Sequence, residues 1–301
     1  MRSVIMAGGF GTRLRPLTNN LPKPMVPMAN RPMMEHIIEL LKANSITDMT
    51  ALLYFQPEMI SDYLKDGAHL GVKIDYITLT VDLGTAGAVG SAMRKMADDT
   101  TLIISGDVLT DLDLNKALEF HRKRKAVATI VLTRVQNPLP FGIVITDKLG
   151  RIVRFLEKPS WGEVFSDTIN TGIYILEKEV LDYIPKDKEF DFSKDLFPLL
   201  LQKDEPIYGY VAEGYWKDVG SLEEYRAANM DILQEKVHVS IPGERINEKK
   251  IWVGKGSRID FTSKLEGSIV IGENCKIEAD TRISNSIIGA NTVIEEGAVI
   301  I

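Results

Sequence analysis

The sequence predicts an α/β fold: a Rossmann-like mixed, mostly parallel sheet with helices on both faces, followed by a short C-terminal left-handed β-helix. Three observations carry this expectation. Up to about residue 235, short apolar strand patterns alternate with helical ones. Between about 126 and 176 the helical patterns drop out and strand patterns follow one another. From 251 onward, apolar residues recur at every sixth position. The expected organisation is an α/β unit over 1–235, a polar linker over 236–250 and a partial repeat over 251–301.

The elements follow in order. "RSVIM" is a short apolar strand, and "MMEHIIELLKAN" carries Met33, Met34, Ile37, Ile38, Leu40 and Leu41 at helical spacing. "MTALLYF" reads as a strand, "PEMISDYLKDG" as a helix opened by Pro57, and "VKIDYIT" as a strand. "AGAVGSAMRKMA" is helical and "TLIIS" a buried strand. "DLNKALEFHRKRK" reads as a helix whose basic end, His121 to Lys125, complements the helix dipole and faces solvent.

The strand-rich stretch comprises "AVATIVLTRV", "GIVIT", "RIVRFLE" and "INTGIYIL", with "DKLG" as a hairpin turn between two of them. Helical patterns return at "FSKDLFPLLLQ" and at "SLEEYRAANMDILQEK", which opens with the capping-box pair Ser221 and Glu224.

The repeat places Val253, Ile259, Leu265, Ile271, Ile277 and Ile283 six apart, then slips by one residue to Ile288, Ile294 and Ile300. Such hexads wind into a β-helix of three short strands per coil. Cys275 fills a small-residue position there, which points to packing rather than reactivity. Fewer than three coils are present and no polar cap closes them, so a homo-oligomer or a further C-terminal domain is expected to cover the end.

Composition narrows the function. The chain has 301 residues, 45% of them apolar, enough for a substantial core. A net charge of −6 disfavours nucleic acid as a partner. One cysteine precludes an internal disulfide and suits a reducing compartment. No apolar run reaches the length of a membrane span, and the four histidines lack ligand spacing. A cytoplasmic protein without membrane partners is expected.

The stretch "GGFGTRLRPLTNNLPKP", Gly8 to Pro24, follows the first strand. Gly8, Gly9 and Gly11 let backbone N–H groups approach a phosphate or base with no Cβ in the way. Arg13 and Arg15 add fixed positive charge. Lys23 lies between two prolines, whose locked φ angles restrict the backbone that aims its ammonium. The stretch is neither a dinucleotide fingerprint, since Leu14 stands where a glycine is needed, nor a P-loop, since no GK[ST] follows. Further on, "TLIISGDVLTD" ends a strand at Asp107, and "YWKDVGS" offers Asp218 just before a helix. Two carboxylates from separate segments suit Mg²⁺, which keeps water and takes phosphate oxygens as its other ligands.

In this order, the glycine loop, "GD", "FG", "EKP", "NTG" and "WKD" resemble the sugar-phosphate nucleotidyltransferases, also known as nucleotide-sugar pyrophosphorylases. The resemblance covers essentially the whole chain and is strongest to the mannose-1-phosphate guanylyltransferase branch. It implies Mg²⁺ on Asp107 and Asp218 and a nucleotide cradled by Ala7, Gly8, Gly9, Gly11, Thr12 and Arg13. "LGTAGAV" would frame the nucleoside through Gly84 and Thr85, in the form that guanylyl-type members carry. Gly142, Glu157, Lys158, Asn170 and Gly172 would hold the sugar phosphate. The implied substrates are a nucleoside triphosphate and a hexose 1-phosphate, with Arg13 on the β/γ-phosphates, Lys23 on the α-phosphate or the attacking phosphate, and Lys158 on the sugar phosphate. The products are a nucleotide-sugar, GDP-mannose favoured, and pyrophosphate. "NTG" replaces the "NAG" common in mannose enzymes, which keeps glucose-1-phosphate uridylyl, thymidylyl or adenylyl transfer open, beside a non-catalytic nucleotide-sugar sensor. Acyl transfer by the repeat is disfavoured, because nothing after His238 is a histidine to act as base.

Overall fold

The computed structural model describes residues 1–96, 99–157, 160, 162, 166–246 and 250–301. The mixed, mostly parallel sheet forms around four parallel strands. They are β1 (Arg2–Ala7), β2 (Asp48–Leu53), β3 (Lys73–Thr78) and β4 (Thr100–Ser105), in spatial order β3-β2-β1-β4. Val4 lies opposite Thr50 on one side and Ile103 on the other.

After β4 come a short β5 (Val108–Thr110), β6 (Ala128–Arg134), β7 (Gly142–Thr146), β8 (Ile152–Glu157) and β9 (Thr168–Glu177). Strand β9 is the hinge of the architecture. It runs antiparallel to β4, with Ile173 opposite Ile104, and also pairs antiparallel with β6 and β7. β10 (Ile207–Val211) adds parallel to β6, and the "DKLG" turn closes the β7–β8 hairpin as expected.

Alternation along β1 explains the layering. Ile5 belongs to one core and its neighbour Val4 to another, because successive strand side chains point to opposite faces. On the Ile5 side pack α1 (Met33–Ala43) and α2 (Pro57–Leu64), through Ile37, Leu41, Ile60 and Leu64. On the Val4 side packs α3 (Gly84–Met93), through Ala86, Val89 and Ala92.

Helix α4 (Leu114–Arg124) joins the first layer and revises one expectation. Leu114, Ala117, Leu118 and His121 share its buried stripe, so His121 does not face solvent with Arg122 and Lys123. Its Nδ1 lies 2.8 Å from the Thr129 hydroxyl and its Nε2 2.8 Å from Glu177. "FSKDLFPLLLQ" opens with a π-turn (Phe192–Leu196) before α5 (Phe197–Gln202), where Pro198 sits in the first turn and needs no hydrogen-bond acceptor. Half of the expected capping box forms: Ser221 accepts from the Glu224 N–H at the head of α6 (Leu222–Leu233), while the Glu224 carboxylate lies 3.7 Å from Lys217 Nζ.

The hexads form a parallel β-helix with three faces. Ile251 stacks on Ile269 and Arg258 on Lys276, eighteen residues on, whereas Val270 stacks on Ile287 and Lys276 on Val293, seventeen on. The one-residue slip in the sequence is thus a shortened turn between Ile283 and Ile288. Ile271, Ile277, Ile283, Ile288 and Ile294 fill its core with Cys275, whose Sγ lies 3.1 Å from the Gly289 carbonyl oxygen. Within the 236–250 segment, Glu244–Arg245 pairs antiparallel with Ile251–Val253. The Asn30 side chain donates to Ile288 O at 2.8 Å and ties the repeat to the α/β unit. Among the described residues, no helix is long and apolar enough to cross a membrane.

Candidate active site

The site is built where β1 and β4 end side by side, Met6 opposite Ser105. Gly106 crosses tightly there: its N–H donates to Met6 O at 2.8 Å, and a Cβ would lie 2.7 Å from that oxygen. Asp107 follows, with its Oδ1 accepting from the Ser105 hydroxyl at 2.5 Å.

Asp218 arrives from far along the chain. β11 (Trp216–Asp218) pairs antiparallel with β5, setting Asp218 opposite Val108, while Val219 N–H donates to Asp107 O at 3.1 Å. A two-stranded ribbon therefore holds the two carboxylates beside each other.

The glycine loop supplies the cation. Gly11 adopts a left-handed φ of +65°, and a Cβ there would fall 2.8 Å from Lys23 Cβ. Thr18 locks the turn by donating to Gly11 O at 2.7 Å. Lys23, held between Pro22 and Pro24 and only 6% exposed, reaches Asp107 Oδ2 at 2.5 Å and Asp218 Oδ1 at 3.9 Å.

This triad separates the two carboxylates electrostatically. Burial pushes Asp107 up, but the Lys23 charge and the Lys23 and Ser105 hydrogen bonds outweigh it and hold the group below the ordinary carboxylate range. Burial raises Asp218, the neighbouring Asp107 charge raises it further, and Lys23 and Arg13 only partly oppose this. An acid pair under mutual repulsion, made of hard oxygen donors, is suited to a hard divalent cation. No group of three or more potential metal ligands occurs among the described residues.

Two cavities meet at Ser105 and Asp107. The larger, about 820 Å³, is lined by Arg13, Gly142, Glu157, Asn170, Gly172 and Asp218, among others. A Cβ on Gly142 would lie 2.9 Å from Glu157 Oε2, and one on Gly172 (φ +76°) 3.2 Å from Ser105 Cβ. Asn170 is fixed by accepting from Gly172 N–H at 2.9 Å and donating to the Tyr174 hydroxyl at 3.0 Å. The smaller cavity, about 440 Å³, is lined by Gly8, Gly9, Gly84 and Thr85, with Tyr54 and Asp191. Both volumes fall in the range of small-molecule sites, about 300–1,000 Å³.

The sequence-predicted residues thus converge, with differences. Ala7, Gly11, Thr12, Arg15 and Lys23 line neither cavity; Ala7 is buried beneath the loop, Gly11 backs onto Lys23, and Lys23 itself lies buried behind Asp107 and Asp218. Lys158 lies outside the described residues. Several lining residues went unnoticed in the sequence, among them Ser105, Trp216, Glu189 and Asp191. Ser105 buttresses Asp107; Trp216 donates its indole N–H to Thr171 O at 3.0 Å; Asp191 takes the Thr85 hydroxyl at 2.8 Å. Adjacency to "GD" and "WKD" is a signal for the first two. Asp191 has none, since only the fold brings it to Thr85.

Glycine loop, paired carboxylates and two adjoining cavities form one strand-end crevice of an α/β fold, the place where such folds bind ligands. The family model described as "Nucleotidyl transferase" matches residues 2–235, and "Bacterial transferase hexapeptide (six repeats)" matches 268–301. A UTP–glucose-1-phosphate uridylyltransferase of Synechocystis is 37% identical, over 100% of this chain and 81% of that protein. A mannose-1-phosphate guanylyltransferase of Mycobacterium tuberculosis is 36% identical, over 99% of this chain and 82% of that protein. The crystal structure of HddC from Yersinia pseudotuberculosis complexed with GMP-PN superposes with a TM-score of 0.66 at 27% identity, covering 77% of this chain and 99% of that one. The chain belongs to the nucleotidyl transferase family, in its sugar-phosphate nucleotidyltransferase branch.

Proposed function

We propose that the chain transfers a guanylyl group from GTP to mannose 1-phosphate, giving GDP-mannose and pyrophosphate in the cytoplasm. The observation that carries this is the position of Asp107, which lines both cavities and shares Lys23 with Asp218. A nucleotide along the glycine loop and a sugar phosphate by Glu157 and Asn170 would meet at that point. The "LGTAGAV" segment supports guanine, as do the mycobacterial guanylyltransferase and the GMP-PN complex of HddC.

In this reading an oxygen of the sugar phosphate attacks the α-phosphorus, and the bond to the β-phosphate oxygen breaks as pyrophosphate leaves. The attacking oxygen is already ionised at neutral pH, so no general base is required, and alignment with charge neutralisation supplies the rate. Lys23, steered by its flanking prolines, would neutralise the α-phosphate or the incoming phosphate, and Arg13 the leaving pyrophosphate. Lys158 would anchor the sugar phosphate, with Glu157 accepting from sugar hydroxyls. Magnesium held by Asp107 and Asp218 would neutralise phosphate oxygens during the transfer. The presence of Arg13, Lys23, Asp107 and Asp218 in one cluster supports an enzyme over a non-catalytic sensor. For the repeat, self-association or attachment of a further domain is proposed.

The Synechocystis relative supports a second reading, uridylyl transfer to glucose 1-phosphate. A matrix of GTP, UTP, dTTP and ATP against mannose 1-phosphate and glucose 1-phosphate, read by pyrophosphate release, separates the two. The highest kcat/KM is expected for GTP with mannose 1-phosphate. A higher value for UTP with glucose 1-phosphate refutes the guanylyl reading.

A further inference from the structure

The smaller cavity has a wall built to hold one acidic side chain at its rim. Segment 188–192 is locked against the start of α3: Phe190 N–H donates to Leu83 O and Gly87 N–H to Phe190 O, both at 2.9 Å. Gly84 has a φ of +64°, and a Cβ there would lie 2.7 Å from Phe190 O, so only glycine admits this approach. On the other side of Phe190, Phe192 N–H donates to the Thr85 hydroxyl at 3.0 Å. Glu189 is therefore carried on backbone fixed on both sides of its neighbour.

Three carboxylates besides Asp107 line this cavity: Asp82, Glu189 and Asp191. Two are already engaged. Asp82 Oδ1 accepts from Gly84 N–H at 2.9 Å. Asp191 accepts from Thr85 through Oδ2 and from Ser193 and Lys194 N–H through Oδ1, capping the π-turn. Glu189 is exposed and accepts from nothing among the described residues. Phe10, Tyr54, Leu79 and Val81 give the cavity apolar surface for a base, and no described lysine or arginine lines it.

We propose that Glu189 selects the base, accepting from guanine N1–H and the exocyclic N2 amino group together. This rests on the guanylyl reading above. Those two donors lie side by side and match the two oxygens of a carboxylate, which only accepts. Uracil and thymine present one N–H flanked by two carbonyl oxygens, which a carboxylate repels. Adenine offers one amino group beside an unprotonated ring nitrogen.

The test compares kcat/KM for GTP, inosine triphosphate and UTP, with mannose 1-phosphate, in the unaltered protein, Glu189→Ala and Glu189→Gln. Inosine triphosphate lacks only the N2 amino group. The unaltered protein is expected to favour GTP over it by about tenfold or more, the scale of a hydrogen bond to a charged group. In Glu189→Ala that ratio should fall to within about two- to threefold, the loss appearing in KM with kcat nearly kept. Glu189→Gln should lose most of the preference too, because its amide N–H₂ faces one of the base's donors. Since Glu189 is exposed, both variants should keep the thermal midpoint. An unchanged ratio in Glu189→Ala, or equal loss of activity with every triphosphate, overturns the role of Glu189 and leaves the guanylyl reading standing. An unaltered protein that prefers UTP to GTP overturns both.

Discussion

Replacing Asp107 with alanine acts on stability and on turnover by different routes. The carboxylate holds Lys23 Nζ at 2.5 Å and takes the Ser105 hydroxyl at 2.5 Å. The Lys23 side chain is 8% exposed, and its other carboxylate partner, Asp218, stands 3.9 Å away. Alanine leaves that ammonium largely buried with one longer ion pair. Breaking a fully buried pair costs about 3–5 kcal/mol. Here the Asp107 side chain is 32% exposed, so water screens the pair and Asp218 takes over part of the charge. The cost falls to about 1–2 kcal/mol, the scale of a lost charged hydrogen bond. For a chain of this length that lowers Tm by about 2–6 °C. Turnover should fall by about a thousandfold or more, the scale of removing a group that meets charge developing at the reacting centre. Asp107→Asn separates the routes: its amide oxygen still accepts from Lys23, so Tm recovers most of the loss while turnover does not. Calorimetry and pyrophosphate release measure the two effects. An alanine variant with turnover within about tenfold of the unaltered protein would remove Asp107 from the reacting centre.

Two further outcomes follow from neighbouring geometry. Gly11→Ala forces a side chain onto a left-handed φ, at about 1 kcal/mol, and drives its Cβ against Lys23 Cβ; kcat should drop at least tenfold with little change in KM for the nucleotide, measured by steady-state pyrophosphate release. His36 lies on the buried face of α1, its Nε2 2.9 Å from Met28 O; burial, only partly opposed by that carbonyl and reinforced by the Arg31 charge, lowers its pKa to about 4. The unfolded chain takes up this proton near pH 6.5 and the folded chain only near 4. Between those values the unfolded state binds more protons, so stability rises with pH. The contribution of neutral His36 is complete above pH 6.5 and shrinks by about 3 kcal/mol as pH falls to 4. Denaturant titrations from pH 4 to 7 should show a slope that His36→Gln flattens by up to one proton; identical slopes would refute it.

The α/β alternation, the glycine loop and the hexads were legible because each is a local period or spacing. Even the shortened coil could be read, since the hydrophobic repeat slips where a turn loses a residue. His121 shows the limit of composition: "HRKRK" looks like a solvated basic end, yet its spacing from Leu114, Ala117 and Leu118 puts the imidazole on the buried stripe. Thr85 and Asp191 show another limit. Their hydrogen bond depends on segment 188–192 packing against α3 through Gly84 and Phe190, a contact between distant segments that no pattern in either one encodes.

Both acids could be singled out in the sequence, but their adjacency could not. It follows from β5 and β11, three residues each, too short to show a period. The larger reason is the direction of β9. In a purely parallel sheet, only the loops leaving the strands reach the crevice at their carboxyl ends. Because β9 runs against β4, with Ile173 opposite Ile104, its early residues Asn170 and Gly172 come to the same end as Ser105 and Asp107. One reversed strand thus adds a second wall to a crevice that the parallel strands alone would build for a single ligand. Two cavities share Asp107 for that reason, and the proposed joining of two phosphorylated substrates requires that arrangement.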